Sequence, residues 1–272
     1  MSKKLFHNPQ AMIGLFLIII VSLMALLAPL LAPHDPEAVD IAQKFLKPSI
    51  QYPFGTDQLG RCVLSRLLYG ARYSLGLAIP ILIVLAIIGT SLGMLGAWLG
   101  GLFDQILIII CDVFMAFPPL VLVLALVGIL GQGAWNLVLA IILSMWVWFV
   151  KVIRSYVLIE KSKDYVTASK IAGCSSMDIL VVHILPNIIP LMVVYFSTGI
   201  ASIILMISGY SFLGLGLGND VPEWGAMLNN AKQYLYSNPT LIVYPGICIL
   251  LTATGFNLFG EALRDILSPE ED

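Results

Sequence analysis

Charge is what this chain has least of. Its 14 basic and 16 acidic residues make up 11% of 272 positions, with a net charge of -2, against roughly 25% charged residues in ordinary soluble domains. Hydrophobic residues supply 59%, and the mean hydropathy is +0.96. That balance excludes a soluble enzyme and a disordered segment. A near-neutral chain also gives nucleic acid no reason to bind. Reactive motifs are missing as well: GxxxxGK[ST], HExxH and GxSxG are all absent. The chain therefore has no phosphate-binding loop of its own, and an intramembrane protease is unsupported. Histidine is scarce (His7, His34, His183), and four cysteines (Cys62, Cys111, Cys174, Cys248) lie far apart without a CxxC pair. They outline neither a metal cage nor a disulfide framework, and the cysteines read as small apolar side chains in helices.

What is there lies between the charges. No Asp, Glu, Lys or Arg occurs in 12–32, 73–103, 113–150, 184–219 or 233–260. A bilayer core needs about 20 apolar residues per helix. The third gap, 113–150, is about 57 Å long as helix, too much for one crossing, and it breaks at Gly128, Gly131, Gln132 and Gly133. Six transmembrane helices are predicted, near 11–32, 74–98, 105–130, 135–152, 189–215 and 240–260. This is an all-α polytopic membrane protein whose first partner is the lipid bilayer. The run from Met12 to Ala32 exceeds a signal-peptide core, and Pro29 and Pro33 crowd the cleavage site, so it reads as a retained helix behind Lys3 and Lys4. With the N-terminus inside, eight basic residues fall in the cytoplasm and six outside, a weak positive-inside bias. The even number of spans then puts both termini in the cytoplasm.

Two polar segments exceed a hairpin: an outer loop over 33–72 and an inner one over 153–187. The expected division is 1–70 for the first helix and outer loop, 71–262 for a five-helix core, and 263–272 for a cytoplasmic tail. Within the spans only Asp112 is ionisable, about two turns on from Asp104. A carboxylate at mid-membrane costs roughly 2.5–3.5 kcal/mol on insertion scales and must face protein or water. Asp112 is either a pathway or gating group, or a structural carboxylate bonded to a neighbouring helix. One such residue fits an autonomous ion-coupled carrier poorly. Gly89, Gly93, Gly96 and Gly100 recur along one face of the second span, where a partner helix can approach closely. In the inner loop a short helix capped at Asp164 should end at Gly173, which tolerates φ > 0. Helix resumes from Asp178 to Leu185, and Pro186 marks entry to the next span.

That loop resembles the EAA signature of permease subunits in binding-protein-dependent ABC importers, which have the type I fold. Gly173 matches the signature glycine and His183-Ile184-Leu185-Pro186-Asn187 the block that follows. Thr167-Ala168-Ser169 stands where Glu-Ala-Ala is usual, so docking here lacks that glutamate. Gly55 to Arg61, Ser65-Arg66 and Gly70-Ala71-Arg72 are similar to the outer-loop block of the peptide/nickel branch, second-subunit type, with Cys62 where that branch often has Asp. Ser211 to Gly216, Glu223 to Leu228, Phe256-Asn257-Leu258 and Leu263-Arg264-Asp265 with Pro269 resemble the rest of the branch in order.

The resemblance implies a transport subunit with no catalysis and no cofactor of its own. It would pair with a homologous permease subunit, and two cytosolic ATPases would bind ATP-Mg. An extracytoplasmic binding protein would deliver cargo. Thr167, Ala168, Ser169, Gly173, Asp178, His183 and Pro186 would form the ATPase-coupling loop. Asp57, Arg61, Arg66, Glu223 and Trp224 would contact the binding protein. The location implied is the cytoplasmic membrane of a bacterium or archaeon. Ser144-Met145-Trp146-Val147-Trp148, the run from Glu223 to Tyr234, and Cys62 look more like nickel subunits than oligopeptide ones. Nickel or a metal chelate is the expected cargo, with di- or oligopeptides as the alternative. Cys62 is either a transient metal contact or an inert thiol.

Overall fold

Among the described residues, 8–218 and 220–267 of a computed structural model, five helices are long and apolar enough to cross a bilayer, and a bent pair supplies a sixth span. Lys3, Lys4, His7 and Pro269 lie outside the described residues. Helix α1 (Pro9–Leu31) starts at an Asn8 cap whose side chain accepts the Gln10 and Ala11 N–H groups, with Pro9 at the first position, where its missing N–H does no harm. Helix α2 (Val63–Leu99) has 37 residues, about 55 Å at 1.5 Å per residue, far more than a bilayer core needs. Its first turns, with Arg66, therefore rise out of the slab and shorten the expected 33–72 loop to its part before Val63.

Glycine decides how α2 packs. A Cβ on Gly89 would stand 2.6 Å from Phe149 Cβ, and one on Gly93 2.8 Å from the Val150 carbonyl oxygen. Helix α5 (Ala134–Lys161) thus lies backbone to backbone on α2, and the partner of the glycine face belongs to this chain. A Cβ on Gly96 would meet Leu107 at 2.7 Å, on helix α3 (Gly101–Met115). Gly100 is not on that face: nothing lies within 4 Å of its missing Cβ, and its φ of +64° turns the chain from α2 into α3.

The expected single span over 105–130 is broken. Helix α3 and helix α4 (Pro119–Leu130) meet at 86° across Ala116-Phe117-Pro118. Neither Pro118 nor Pro119 has an N–H to donate, and the Pro119 ring pushes Pro118 to φ -55°, ψ 132°, outside the helical region. At 15 and 12 residues, about 22 and 18 Å, neither half spans a core of roughly 30 Å. The fourth span is also longer than read, because α5 continues past 152 to Lys161.

After α5 come helix α6 (Asp164–Ile171), one turn of helix α7 (Ser176–Asp178) and a π-helical turn, Ile179–Ile184. That turn runs straight into α8 (Leu185–Phe212). The ring of Pro186 would collide with the Val182 carbonyl in a regular helix, and the wider turn makes room. Helix α9 (Trp224–Ala231) caps the loop end and α10 (Thr240–Leu267) returns. Helix α10 crosses α1 at Gly14, whose missing Cβ would lie 2.6 Å from the Phe259 nitrogen. Since α2 runs through residue 70 and α10 through 262, both expected domain boundaries fall inside helices.

Candidate functional site

Three constellations carry this chain's polar chemistry. The first is a knob at the end where α2 and α5 finish. Val166 and Ile179 are buried there among Met94, Ile153, Val157 and Ile184, so α6 and the π turn are pinned to the ends of α2, α5 and α8. The Lys161 ammonium donates to the Ala97 and Trp98 carbonyls at 2.7 and 2.8 Å, satisfying orphan groups at the α2 C-terminus. Lys161 and Lys170 both sit over the Trp98 ring, 5.3 and 5.2 Å from its centroid. Glu160, buried and unnoticed in the sequence reading, accepts from Lys163 at 2.5 Å and from the Tyr165 hydroxyl at 2.8 Å. Burial, with that hydrogen bond, holds the Tyr165 phenol above its usual pKa. A carboxylate one turn before a Lys-x-Tyr step was the available signal.

The expected coupling residues lie close together on this knob. Gly173 takes φ +82° and makes the turn. Asp164 does not cap α6; Lys163 holds the cap position and its side chain makes no capping bond, while Asp164 opens the helix. The capping occurs one element later, where Ser175 Oγ accepts the Asp178 N–H at 3.1 Å and donates to its carboxylate at 2.6 Å. Thr167, Ala168, Gly173 and Asp178 are exposed, and Ser169 donates back to the Tyr165 carbonyl at 2.8 Å. His183 is half-buried in the π turn, and Pro186 is exposed in the first turn of α8. The outward tip is apolar: Ile171 is 83% and Met177 64% exposed. The knob is packed as one body against the ends of two long helices.

The second constellation, at the opposite end, corrects a prediction. Asp57, Arg61, Arg66, Glu223 and Trp224 were expected at a binding-protein surface, but all five are buried. The Asp57 carboxylate accepts the Leu59 N–H at 2.8 Å, the Arg61 N–H at 3.0 Å and Arg61 Nε at 2.7 Å. Arg66, 1% exposed, donates to the Pro36 carbonyl at 2.9 Å and to those of Asp220 and Val221 at 3.3 and 3.4 Å. Its guanidinium fork ties both loop-end segments to α2. Glu223 caps α9 through the Gly225 and Ala226 N–H groups, both at 2.9 Å, and accepts from Ser74 at 3.2 Å. Trp224 Nε1 donates to the Leu67 carbonyl at 3.0 Å. These side chains brace the cap from beneath. Among the side chains that the cap presents outward are the apolar Ile41, Leu46 and Ile50, beside exposed Glu37, Asp40, Lys44 and Lys47. Cys62 is buried at the start of α2, which removes it from any open metal route. Among the described residues, no group of three or more His, Cys, Asp or Glu is placed to hold a metal.

The third constellation links α3 to α5 with two ion pairs. Arg154 grips Asp104 with two bonds of 2.5 Å. Three residues back on α5, Lys151 meets Asp112 through a single contact of 2.5 Å. Above them α4, α5 and α8 enclose an apolar groove of about 610 Å³ lined by Pro119, Met145, Trp148, Leu205 and Tyr210 among others.

A bundle of five bilayer-length helices and one bent apolar pair, with a knob at one end and a braced cap at the other, defines a multi-pass helical membrane protein. Residues 89–271 match the model of the binding-protein-dependent transport system inner membrane component family. Residues 1–48 match the N-terminal transmembrane domain of oligopeptide transport permease C. The chain belongs to that family: it is a peptide/nickel-type permease subunit of an ABC importer, with the type I fold, in the inner membrane. It is 36% identical to the nickel transport system permease protein of Escherichia coli strain K12 over 94% of this chain and 93% of the relative. It is 38% identical to a probable D,D-dipeptide transport system permease protein of the same organism, over 97% and 88%. The metal-staphylopine import system permease protein of Staphylococcus aureus strain NCTC 8325 is 39% identical over 98% and 92%. Members of the family work with other permease, ATPase and binding-protein subunits.

Proposed function

We propose that this chain is the second permease subunit of an importer for nickel or a metal chelate. It pairs with one homologous permease subunit, two cytosolic ATPases that bind ATP-Mg, and one extracytoplasmic binding protein. ATP is hydrolysed in the partners, and this chain has no catalytic site. Two rigid states alternate, biased by nucleotide in the ATPases. The observation that carries the nickel reading is the 36% identity to a nickel permease over 94% of the chain, together with the tryptophan-rich stretch 144–148. A dipeptide cargo is the second reading, favoured by 38% identity to the D,D-dipeptide relative.

The knob from Asp164 to Asp178 faces the cytoplasm and docks on an ATPase through Ile171 and Met177. Residues Thr167 and Asp178 supply its polar rim. Both termini lie on the same cytoplasmic side, and 71–262 forms the transport core. The cap faces outward, where Asp57, Arg61, Arg66, Glu223 and Trp224 shape the surface that receives the binding protein without touching it. The test is to reconstitute the importer in liposomes and follow uptake of nickel, a nickel–histidine chelate and a dipeptide, with titration of the binding protein against each. ATP-dependent uptake of nickel or its chelate supports the reading. Uptake of the dipeptide alone shifts it to a peptide importer, and uptake by this chain without ATPases overturns it.

A further inference from the structure

We propose that the Asp112–Lys151 pair is the ionic step of the transport path, taking cargo that carries both a carboxylate and a cationic group. The inference rests on the importer reading above. Its starting point is the contrast between two ion pairs joining the same two helices. Arg154–Asp104 is bidentate, and its side chains are 23% and 16% exposed. Such a fork holds geometry as well as charge. Lys151–Asp112 has one contact, and its side chains are 33% and 58% exposed. The first pair thus has the geometry of a fastening between α3 and α5, and the second, with one contact and open side chains, does not.

Position supplies the other half of the argument. Lys151 follows Trp148 by one helical turn, about 4.5 Å, on the same side of α5, and Trp148 lines the apolar groove between α4, α5 and α8. Asp112 lies four residues before the Ala116–Pro118 break, and Pro119 just after it lines the same groove. Their neighbours Leu107, Cys111, Val147 and Val150 are buried against one another, which leaves both charges on the open side. An unshielded charge in hydrocarbon costs roughly 2.5–3.5 kcal/mol, so an open pair in membrane-spanning helices belongs on a watery route. Lys151 is ten residues, about 15 Å, from Lys161 at the knob. Cargo leaving the groove therefore meets the pair before the coupling end.

The chemistry names the cargo class. Lysine is a compact point charge on a flexible stem and can leave Asp112 for a passing carboxylate. Asp112 is then free for an ammonium or the cationic side of a chelate, and the two charges part and rejoin without either being stranded. A bare divalent cation would gain from Asp112 and lose to Lys151 alike. A zwitterionic chelate or peptide satisfies both groups, with its apolar body against Trp148 and Tyr210.

The test uses the whole importer in liposomes, its binding protein loaded with a nickel–histidine chelate, a dipeptide or nickel chloride, and reads cargo moved per ATP hydrolysed. Lys151→Gln and Asp112→Asn are each expected to lower zwitterion uptake per ATP about tenfold, the equivalent of roughly 1.4 kcal/mol. The double variant leaves no stranded charge, so a merely structural pair would recover in it. A path role predicts that it stays at least as impaired while co-purifying with the partner subunits. Wild-type coupling from the double variant overturns the proposal. Nickel chloride carried as well per ATP as the chelate overturns the cargo assignment. No ATP-dependent uptake by the wild type with any probe sinks the importer reading itself, a result distinct from both.

Discussion

Replacing Asp57 by alanine should unfasten the cap while leaving the membrane bundle standing. The carboxylate accepts three hydrogen bonds of 2.7–3.0 Å within its own turn and faces Arg66 Nε at 3.8 Å. In its absence the Arg61 and Arg66 guanidinium groups, 2% and 1% exposed, lose the Asp57 counter-charge, and Arg66 keeps only the weaker pull of Glu37 and Asp220. Removing one partner from a buried pair costs about 3–5 kcal/mol, chiefly because the other charge is left behind. Stability here is local, since 32–62 can lift from α2 without opening α5 or α8, so the loss appears as easier sub-global opening. Each 1.4 kcal/mol is tenfold, so protection of amides in this turn should fall about 10²- to 10³-fold. The amide to follow is that of Asp57 itself, which donates to the Arg61 carbonyl at 3.0 Å. Hydrogen exchange on the purified protein in nanodiscs measures this directly. Protection in α5 should stay within threefold, and Gln51→Ala, an exposed loop control, should change nothing. Unchanged protection at residue 57 in Asp57→Ala would refute the idea that this cluster clamps the cap. Asn in place of Asp keeps the shape and removes the charge, and it should fall between the two.

Further outcomes follow from the same geometry. Gly93→Val should prise α2 from α5, since even a Cβ there meets the Val150 oxygen at 2.8 Å. Overpacking of about 1–3 kcal/mol should lower the unfolding temperature in detergent by several degrees, whereas Gly76→Ala, with open space around it, should not. Replacing both Pro118 and Pro119 by alanine restores two N–H donors and lets α3 run on into α4. Spin labels at Gln105 and Ile129 should then move apart by about 10 Å, judged from the 1.5 Å rise, and an unchanged distance would mean that packing, not proline, sets the 86° bend. Gly173→Pro cannot adopt φ +82°; insertion should persist while ATPase co-purification weakens, and full recovery of the complex would count against the coupling role.

The spans were legible because hydrocarbon excludes charge, and counting charge-free runs is a direct measure of that exclusion. The same measure is blind to backbone hydrogen bonding, and that is why 105–130 read as one helix. Pro118 and Pro119 are as apolar as their neighbours, so only their missing N–H groups betray the break. The glycine face was legible by spacing for Gly89, Gly93 and Gly96. Its partner was not, because close approach says that a helix is near and never which one. Gly100 fitted the spacing yet serves as a turn, since a residue at a helix end answers to φ before it answers to packing.

The cap shows most plainly where sequence reasoning misjudged function. The resemblance implies that Asp57, Arg61 and Arg66 contact a binding protein, and charged residues in a polar loop read readily as solvent-facing. Yet a 30-residue segment whose only regular structure is one 3-10 turn, Ile41–Gln43, and one bridge from Thr56 to Cys62 has to satisfy its own backbone somewhere, and a guanidinium that accepts nothing and donates five times suits that work. Arg66 closes three carbonyls from two distant segments. Glu223 closes two amides at the start of α9, a cap signature visible as an acid just before Trp-Gly-Ala. The resemblance to importer permeases pointed to segments and not to the direction of their side chains. In both polar ends, then, buried charged groups build the framework, and large apolar side chains stand among the outward ones: Ile171 and Met177 on the knob, Ile41 and Ile50 on the cap. Lys151 and Asp112 join α3 to α5 through one contact with both side chains open, which sets them apart from the buried braces described above.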